Sequence, residues 1–222
     1  MMDKRALLRG LYAVTDPGLC PDESLPRQVE EALNGGCRLV QYRDKRGDRA
    51  LRQTLACQLL ERCRRYQALL IINDDVRLAG DIGAHGVHLG RDDPDPETAR
   101  ALLGEAAIIG VSCYNRLDLA LSAAGRGVDY LAFGRFFPSR TKPHAVQAET
   151  GLLKRARELI DLPLVAIGGI TPENGAPLIA AGADMLAVIH GLFGQPAVDT
   201  ASRRLCDLFP VEGQVTLSPD NH

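Results

Sequence analysis

Leu39-Val40-Gln41-Tyr42-Arg43-Asp44-Lys45 is a short apolar run that ends in two cations on alternate residues. Side chains alternate across a strand, so where such a strand ends Arg43 and Lys45 can both project into one pocket. Two cations aimed into one pocket grip a polyanion well.

Seven more short apolar runs surround this one. Together the eight occupy 10–15, 38–42, 69–73, 86–89, 108–112, 129–133, 164–167 and 185–189. They are near-continuously apolar rather than alternating, which marks parallel strands covered on both faces. The segments between them carry helical periodicity, as in Leu25, Val29, Ala32 and Leu33, and again in Leu51, Leu55, Leu59, Leu60 and Cys63. The runs start ~25 residues apart, room for a strand, a turn and a helix, and eight such units close into a (β/α)8 TIM barrel, an α/β fold. The spacing predicts one catalytic barrel over 1–209 and a polar, flexible tail over 210–222. One helix is expected to take its N-cap from the stretch Asp22 to Ser24, with Pro26 in its first turn, and to end at Gly35-Gly36. Others are expected to start at Val76, at Pro94 and at Pro172 with Thr171 as its N-cap, the last closed by Gly182.

Of the 222 residues, 45% are hydrophobic and 24% charged, the balance of a globular chain with ample core. A net charge of -2 excludes a general nucleic-acid or membrane-surface partner, which needs a net basic face. The six cysteines include no C-x-x-C pair and sit in apolar or helical patterns, as reduced thiols of a cytoplasmic protein do. No run approaches a membrane span, and the first ten residues lack the apolar core of a signal peptide. Composition leaves room for a homo-oligomer.

In a barrel, chemistry sits where strands end. Asn73-Asp74-Asp75 follows the third run and Gly90-Arg91-Asp92-Asp93 the fourth, so carboxylates from adjacent strands can share one hard cation, with substrate phosphates completing its shell. Read alone, each Asp pair is a pair of helix caps; beside Arg43 and Lys45, one Asp of each pair can cap while the other binds metal. Ser112 offers a hydroxyl at the fifth strand end. Gly134 to Pro143 is a long polar loop with three cations, Arg135, Arg140 and Lys142, and two hydroxyls, Ser139 and Thr141. Gly168-Gly169 after the seventh run and His190-Gly191 after the eighth match the standard phosphate site of barrels. His85 and His88 read as satisfied structural histidines that face different surroundings.

Seven motifs, in order, resemble those of the thiamine-phosphate synthase family: Tyr12-Ala13-Val14-Thr15-Asp16, Gln41-x-Arg43-x-Lys45, Asn73-Asp74-Asp75, Gly86-Val87-His88-Leu89-Gly90-x-x-Asp93, Gly110-Val111-Ser112, Pro138-Ser139-x-Thr141-Lys142-Pro143 and Ile167-Gly168-Gly169-Ile170. The resemblance implies an enzyme that joins a pyrimidine diphosphate to a thiazole phosphate with loss of pyrophosphate. It implies that Gln41 contacts the aminopyrimidine and that Arg43, Lys45, Asn73, Ser112 and Lys142 hold its pyrophosphate, with Tyr42 and Asp44 part of the same binding stretch. Arg43, Lys45, Ser112 and Lys142 would be catalytic, and Asp74 and Asp93 would bind Mg2+. Ser139, Arg140 and Thr141, with Gly169, Ile189 and His190, would hold the thiazole phosphate. Arg135 stands where the family often has Pro and His190 where it often has Ser, so both add charge near that phosphate. The same barrel could serve a thiazole tautomerase, a Schiff-base aldolase built on Lys142, or a phosphometabolite-binding protein without turnover; the metal and pyrophosphate residues speak for the synthase.

Overall fold

The computed structural model describes residues 4–46, 48–138 and 146–210. A short helix, α1 (Lys4–Leu7), precedes eight strands and the helices that follow them. The first half runs β1 (Gly10–Val14), α2 (Leu25–Asn34), β2 (Leu39–Tyr42), α3 (Arg49–Arg65), β3 (Leu69–Asn73), α4 (Val76–Ile82), β4 (Gly86–Leu89) and α5 (Pro96–Leu103). The second runs β5 (Ile108–Tyr114), α6 (Leu117–Ala124), β6 (Tyr130–Gly134), α7 (Thr150–Leu159), β7 (Leu164–Ile167), α8 (Ala176–Ala180), β8 (Met185–Val188), α9 (His190–Phe193) and α10 (Val198–Cys206). All strand pairs are parallel, and β8 returns to β1 to close the barrel in sequence order. The tail 211–222 and the loop 139–145 lie outside the described residues.

Strand parity divides the core into two clusters. Residues of one parity, among them Leu39, Ile71, Ile108, Val165 and Met185, fill the barrel interior with Tyr12 and Tyr130. Residues of the other, such as Val40, Ile72, Val87, Ile109 and Leu131, pack outward against the helices. Both clusters are apolar, which is why the runs read as continuous rather than alternating. Glycines make room inside: a Cβ on Gly110 would lie 1.9 Å from Cζ of Tyr130, so the Tyr130 ring occupies the space that any side chain at 110 would need. Burial pushes the thiols of Cys37, Cys63 and Cys113 up to about 12 and that of Cys20 to about 11, so these cysteines stay protonated and inert. Among the described residues no helix is long and apolar enough to cross a membrane.

The helix starts agree with expectation in part. Ser24 stands at the N-cap position of α2 with proline in the first turn, and Gly35 ends it. Asp75 caps α4 by accepting from Leu78 N at 2.9 Å. The expected start at Pro94 is corrected to Pro96, because Asp95 accepts from Thr98 N and makes the cap two residues later. The helix expected to begin at Pro172 with Thr171 as its cap is corrected to a start at Ala176: Asn174 bonds both Thr171 N and Gly169 O, so the side chain builds a turn there before α8 begins.

Candidate active site

One cavity of about 340 Å³ opens at the C-terminal ends of the strands. Gln41, Arg43, Asn73 and Ser112 line it from β2, β3 and β5, and Gly168, Gly169, Ile189, His190 and Gly191 line it from β7 and β8 across the barrel. Val14, Ala132, Val165 and Ala187 supply apolar wall between them. A volume of this order holds a drug-sized ligand with most of its surface covered.

Arg43 is aimed by its neighbours. Thr15, 1% exposed, accepts from Arg43 N at 2.9 Å, and its own N–H donates to Gln41 O, which ties the end of β1 to the segment leaving β2. The Arg43 guanidinium stands 3.6 Å from Asp16. Lys45 leaves the strand further out and pairs with Asp74 at 3.0 Å.

Tyr42 and Asp44 do not join the cavity. They have the outward parity of β2: Tyr42 is buried in the outer core, and Asp44, 7% exposed, accepts from Arg46 Nε at 2.9 and 3.1 Å and from its backbone N at 2.9 Å. Arg46 also reaches Asp22. Burial alone would raise the Asp44 carboxyl; the Arg46 bonds prevail and hold it below its ordinary range. Its stabilisation is therefore complete above about pH 4 and is lost as pH falls below that range. The expected result of Asp44→Asn is a fold weakened by about 2 kcal/mol at neutral pH, with a smaller deficit in acid, and an unchanged KM for the pyrimidine diphosphate. Urea melts at two pH values and steady-state kinetics check it; a KM raised tenfold would return Asp44 to the binding site.

Asp74 and Asp93 meet as the strand order demands. Asp74 adopts a left-handed backbone, φ 64°, while its N–H stays bonded to His88 O at 2.9 Å. Asp tolerates this region through its short polar side chain, and the turn frees Asp74 from capping, which Asp75 performs. Asp93 accepts from Gly90 N at 2.6 Å, and its carboxyl is hydrogen-bonded to that of Asp74. Burial and the Asp74 contact raise the Asp93 carboxyl. Asp74 is opposed by burial, yet the bonds to Asp93 and Lys45 bring it below the ordinary range. Two carboxyls driven together beside the Lys45 ammonium are a hard-oxygen pair of the kind that suits Mg2+, an ion that usually takes its remaining ligands from phosphates and water. Among the described residues no group of three or more His, Cys, Asp or Glu side chains comes together.

The far side is built by close backbone approach. Gly168 has φ 104° and Gly169 φ 66°; a Cβ on Gly169 would come within 2.4 Å of Pro138 O, and one on Gly191 within 2.2 Å of Ile170 O. Phe136 N and Phe137 N donate to Ile167 O and Gly168 O, so the stem of the β6 loop is laid along the end of β7. Arg135 also lines the cavity. Ser139, Arg140, Thr141 and Lys142 lie outside the described residues.

Sequence reasoning passed over three residues of the inward parity. His88, 8% exposed, bonds Ser112 Oγ through Nε2 at 2.9 Å and the Tyr130 hydroxyl through Nδ1 at 3.0 Å. The Tyr130 hydroxyl meets that of Tyr12 at 2.8 Å, and Gln41 Nε2 donates to Tyr12 at 2.8 Å. Burial raises both phenols, so they remain protonated donors. His88 is satisfied, as read, but one of its partners, Ser112, lines the cavity with it; matching its parity to that of Gln41 and Ser112 was the available signal. Tyr114, past a register shift in β5, also lines the cavity, with Arg91 stacked 4.9 Å from its ring centroid.

The model of the family described as thiamine monophosphate synthase matches residues 11–192. The chain is 53% identical over 205 residues to a thiamine-phosphate synthase of Thioalkalivibrio sulfidiphilus, covering 92% of this chain and 97% of the relative. It is 54% identical over 204 residues to one of Thiobacillus denitrificans, covering 91% and 96%. The solved thiamine phosphate pyrophosphorylase of Pyrococcus furiosus superposes with a TM-score of 0.84 at 33% identity, covering 93% of this chain and 97% of that one.

Proposed function

The chain belongs to the thiamine monophosphate synthase family, and from that premise we propose how its own residues carry out the reaction. Its activity is that of a thiamine-phosphate synthase, a transferase of thiamine biosynthesis. The substrates in this reading are the aminopyrimidine methyl diphosphate and the thiazole phosphate, with Mg2+ at Asp74 and Asp93, on a single catalytic barrel of 1–209 in the cytoplasm. What supports it most is that one cavity presents polar strand-end residues of β2, β3 and β5 on one side and the glycine-lined ends of β7 and β8 on the other. Two phosphorylated rings can lie there face to face.

Gln41 meets the aminopyrimidine, and Arg43, Asn73 and Ser112 converge on its diphosphate. Lys45, with Lys142 from the loop, completes the charge around the leaving group. The bond from the pyrimidine methylene to the diphosphate oxygen breaks with its electron pair on the oxygen, and the ring amino group delocalises the cation that remains. The thiazole nitrogen then forms the new bond to that methylene. When bound, Mg2+ would neutralise charge on the departing diphosphate. The apolar wall of Val14, Ala132, Val165 and Ala187 keeps water from the cation, which would otherwise be captured as the alcohol. This route asks the protein for charge stabilisation and alignment rather than a nucleophile-base pair.

Gly169, Ile189 and His190 hold the thiazole phosphate, with Ser139, Arg140 and Thr141 assigned to the same phosphate by the family's motif. His190→Ser is expected to weaken thiazole phosphate binding severalfold, because an N–H donor to the phosphate is removed with the imidazole. Calorimetric titration of thiazole phosphate checks it, and an unchanged affinity would remove the His190 side chain from the phosphate.

For the reaction itself, pyrophosphate and thiamine phosphate are expected in equal amounts from both substrates with Mg2+, and neither product with a chelator present. Binding of thiazole phosphate without turnover would overturn the proposed residue roles.

A further inference from the structure

Gln41, Tyr12, Tyr130, His88 and Ser112 come from β2, β1, β6, β4 and β5, yet their polar atoms form one unbroken hydrogen-bond chain across the barrel interior. We propose that this chain is directional, and that Tyr12, Tyr130 and His88 are positioning residues that couple recognition of the pyrimidine amino group at Gln41 to the aim of the Ser112 hydroxyl at the diphosphate. The proposal rests on the roles given above to Gln41 and Ser112.

The direction follows from counting hydrogens. Tyr12 accepts from Gln41 Nε2 at 2.8 Å, so its own hydrogen goes to the Tyr130 oxygen, 2.8 Å away. Tyr130 then has its hydrogen left for His88 Nδ1 at 3.0 Å. With Nδ1 accepting, the neutral imidazole carries its proton on Nε2 and donates it to Ser112 Oγ at 2.9 Å. Ser112, supplied with a donor, keeps its own hydrogen for the cavity that it lines. At the other end Gln41, its amide nitrogen engaged, turns its carbonyl oxygen to the ligand.

Both free ends match the substrate. A ring amino group donates and needs the Gln41 oxygen; a diphosphate oxygen accepts and needs the Ser112 hydrogen. The opposite direction would require Gln41 to offer N–H to an N–H, and would leave Ser112 spending its hydrogen on His88. No proton changes owner along the chain. Ring packing holds the members in place: His88 stacks on Tyr130 at 5.6 Å between centroids, and Tyr12 meets Tyr130 edge-on at 5.9 Å.

Tyr130→Phe keeps the ring and removes the link. It is expected to lower kcat about tenfold with KM for the pyrimidine diphosphate within about twofold, because the lost aim matters only as charge develops on the leaving group. The same substitution placed on Ser112→Ala is expected to change nothing further, since Tyr130 acts through Ser112. Equal losses in the two backgrounds would overturn the proposal in favour of a merely structural Tyr130, as would a Tyr130→Phe enzyme at full rate. Nitrogen-15 NMR of the imidazoles needs no turnover and so separates failure of the chain from failure of the assigned reaction: His88 is expected to be protonated on Nε2 alone, and to lose that preference in Tyr130→Phe. A wild-type His88 protonated on Nδ1 would overturn the direction outright.

Discussion

Asp74→Asn is expected to lower kcat for thiamine phosphate formation by about a thousandfold, the scale on which a removed charge-stabilising group acts at a developing anion. Asn tolerates the left-handed backbone at φ 64° almost as Asp does, so the N–H bond to His88 O and the turn into α4 survive. What is lost is one of the two carboxylates that face each other between β3 and β4, and with it half of the site proposed for Mg2+. Lys45, deprived of its partner at 3.0 Å, is free to follow the diphosphate, so KM for that substrate is expected to change much less than kcat. Raising the Mg2+ concentration should recover part of the rate, which a folding defect would not allow. Steady-state kinetics over a Mg2+ titration measure all three, and a variant within tenfold of the parent would return Asp74 to the role of a loop residue.

The second large effect is structural. Gly110→Ala is expected to destabilise the fold by about 3 kcal/mol, the upper range for overpacking a filled interior. The added methyl would lie 1.9 Å from Cζ and 2.2 Å from Cε2 of the fully buried Tyr130 ring, whose neighbours leave it nowhere to go. Because Tyr130 links Tyr12 to His88, the rate should fall with the stability. Tyr130→Leu in the Gly110→Ala background vacates the disputed space and is expected to recover stability without recovering rate. Urea unfolding gives the first quantity and pyrophosphate release the second; full stability in Gly110→Ala alone would mean that Tyr130 does not occupy the interior beside β5.

The two ends of β2 show what kind of information each level carries. Arg43 and Gln41 could be assigned to the cavity because parity along a strand is a local property, and the same rule, followed through, sends Tyr42 and Asp44 outward to the helix layer. The family resemblance takes all of Gln41 to Lys45 as one binding stretch, whereas the Asp44 carboxyl bonds Arg46 and lies off the cavity lining. The Asp pairs show a similar limit. Local chemistry says that one Asp in each pair caps a helix; Asp75 does so in the first pair, but in the second neither does, because the helix starts later and Asp95 caps it with Pro96 in the first turn.

Eight apolar runs at an even spacing, each followed by helical periodicity, determined the closed barrel, since continuous apolar strands are stable only when covered on both faces and closure removes every edge. Strand ends carrying Arg43, Asn73, Ser112 and Gly168-Gly169 likewise placed polar groups and glycines around one cavity, because in this fold those ends share one face. The tertiary structure alone decided which side chains touch across the interior. Tyr12 and Tyr130 stand 118 residues apart and His88 stands 42 from Tyr130, and their hydrogen bonds depend on the relative height of residues on three strands and on the hollow left by Gly110. Height around a closed sheet is set by the pairing of every strand with its neighbours, a property of the whole ring that no single stretch of the chain contains.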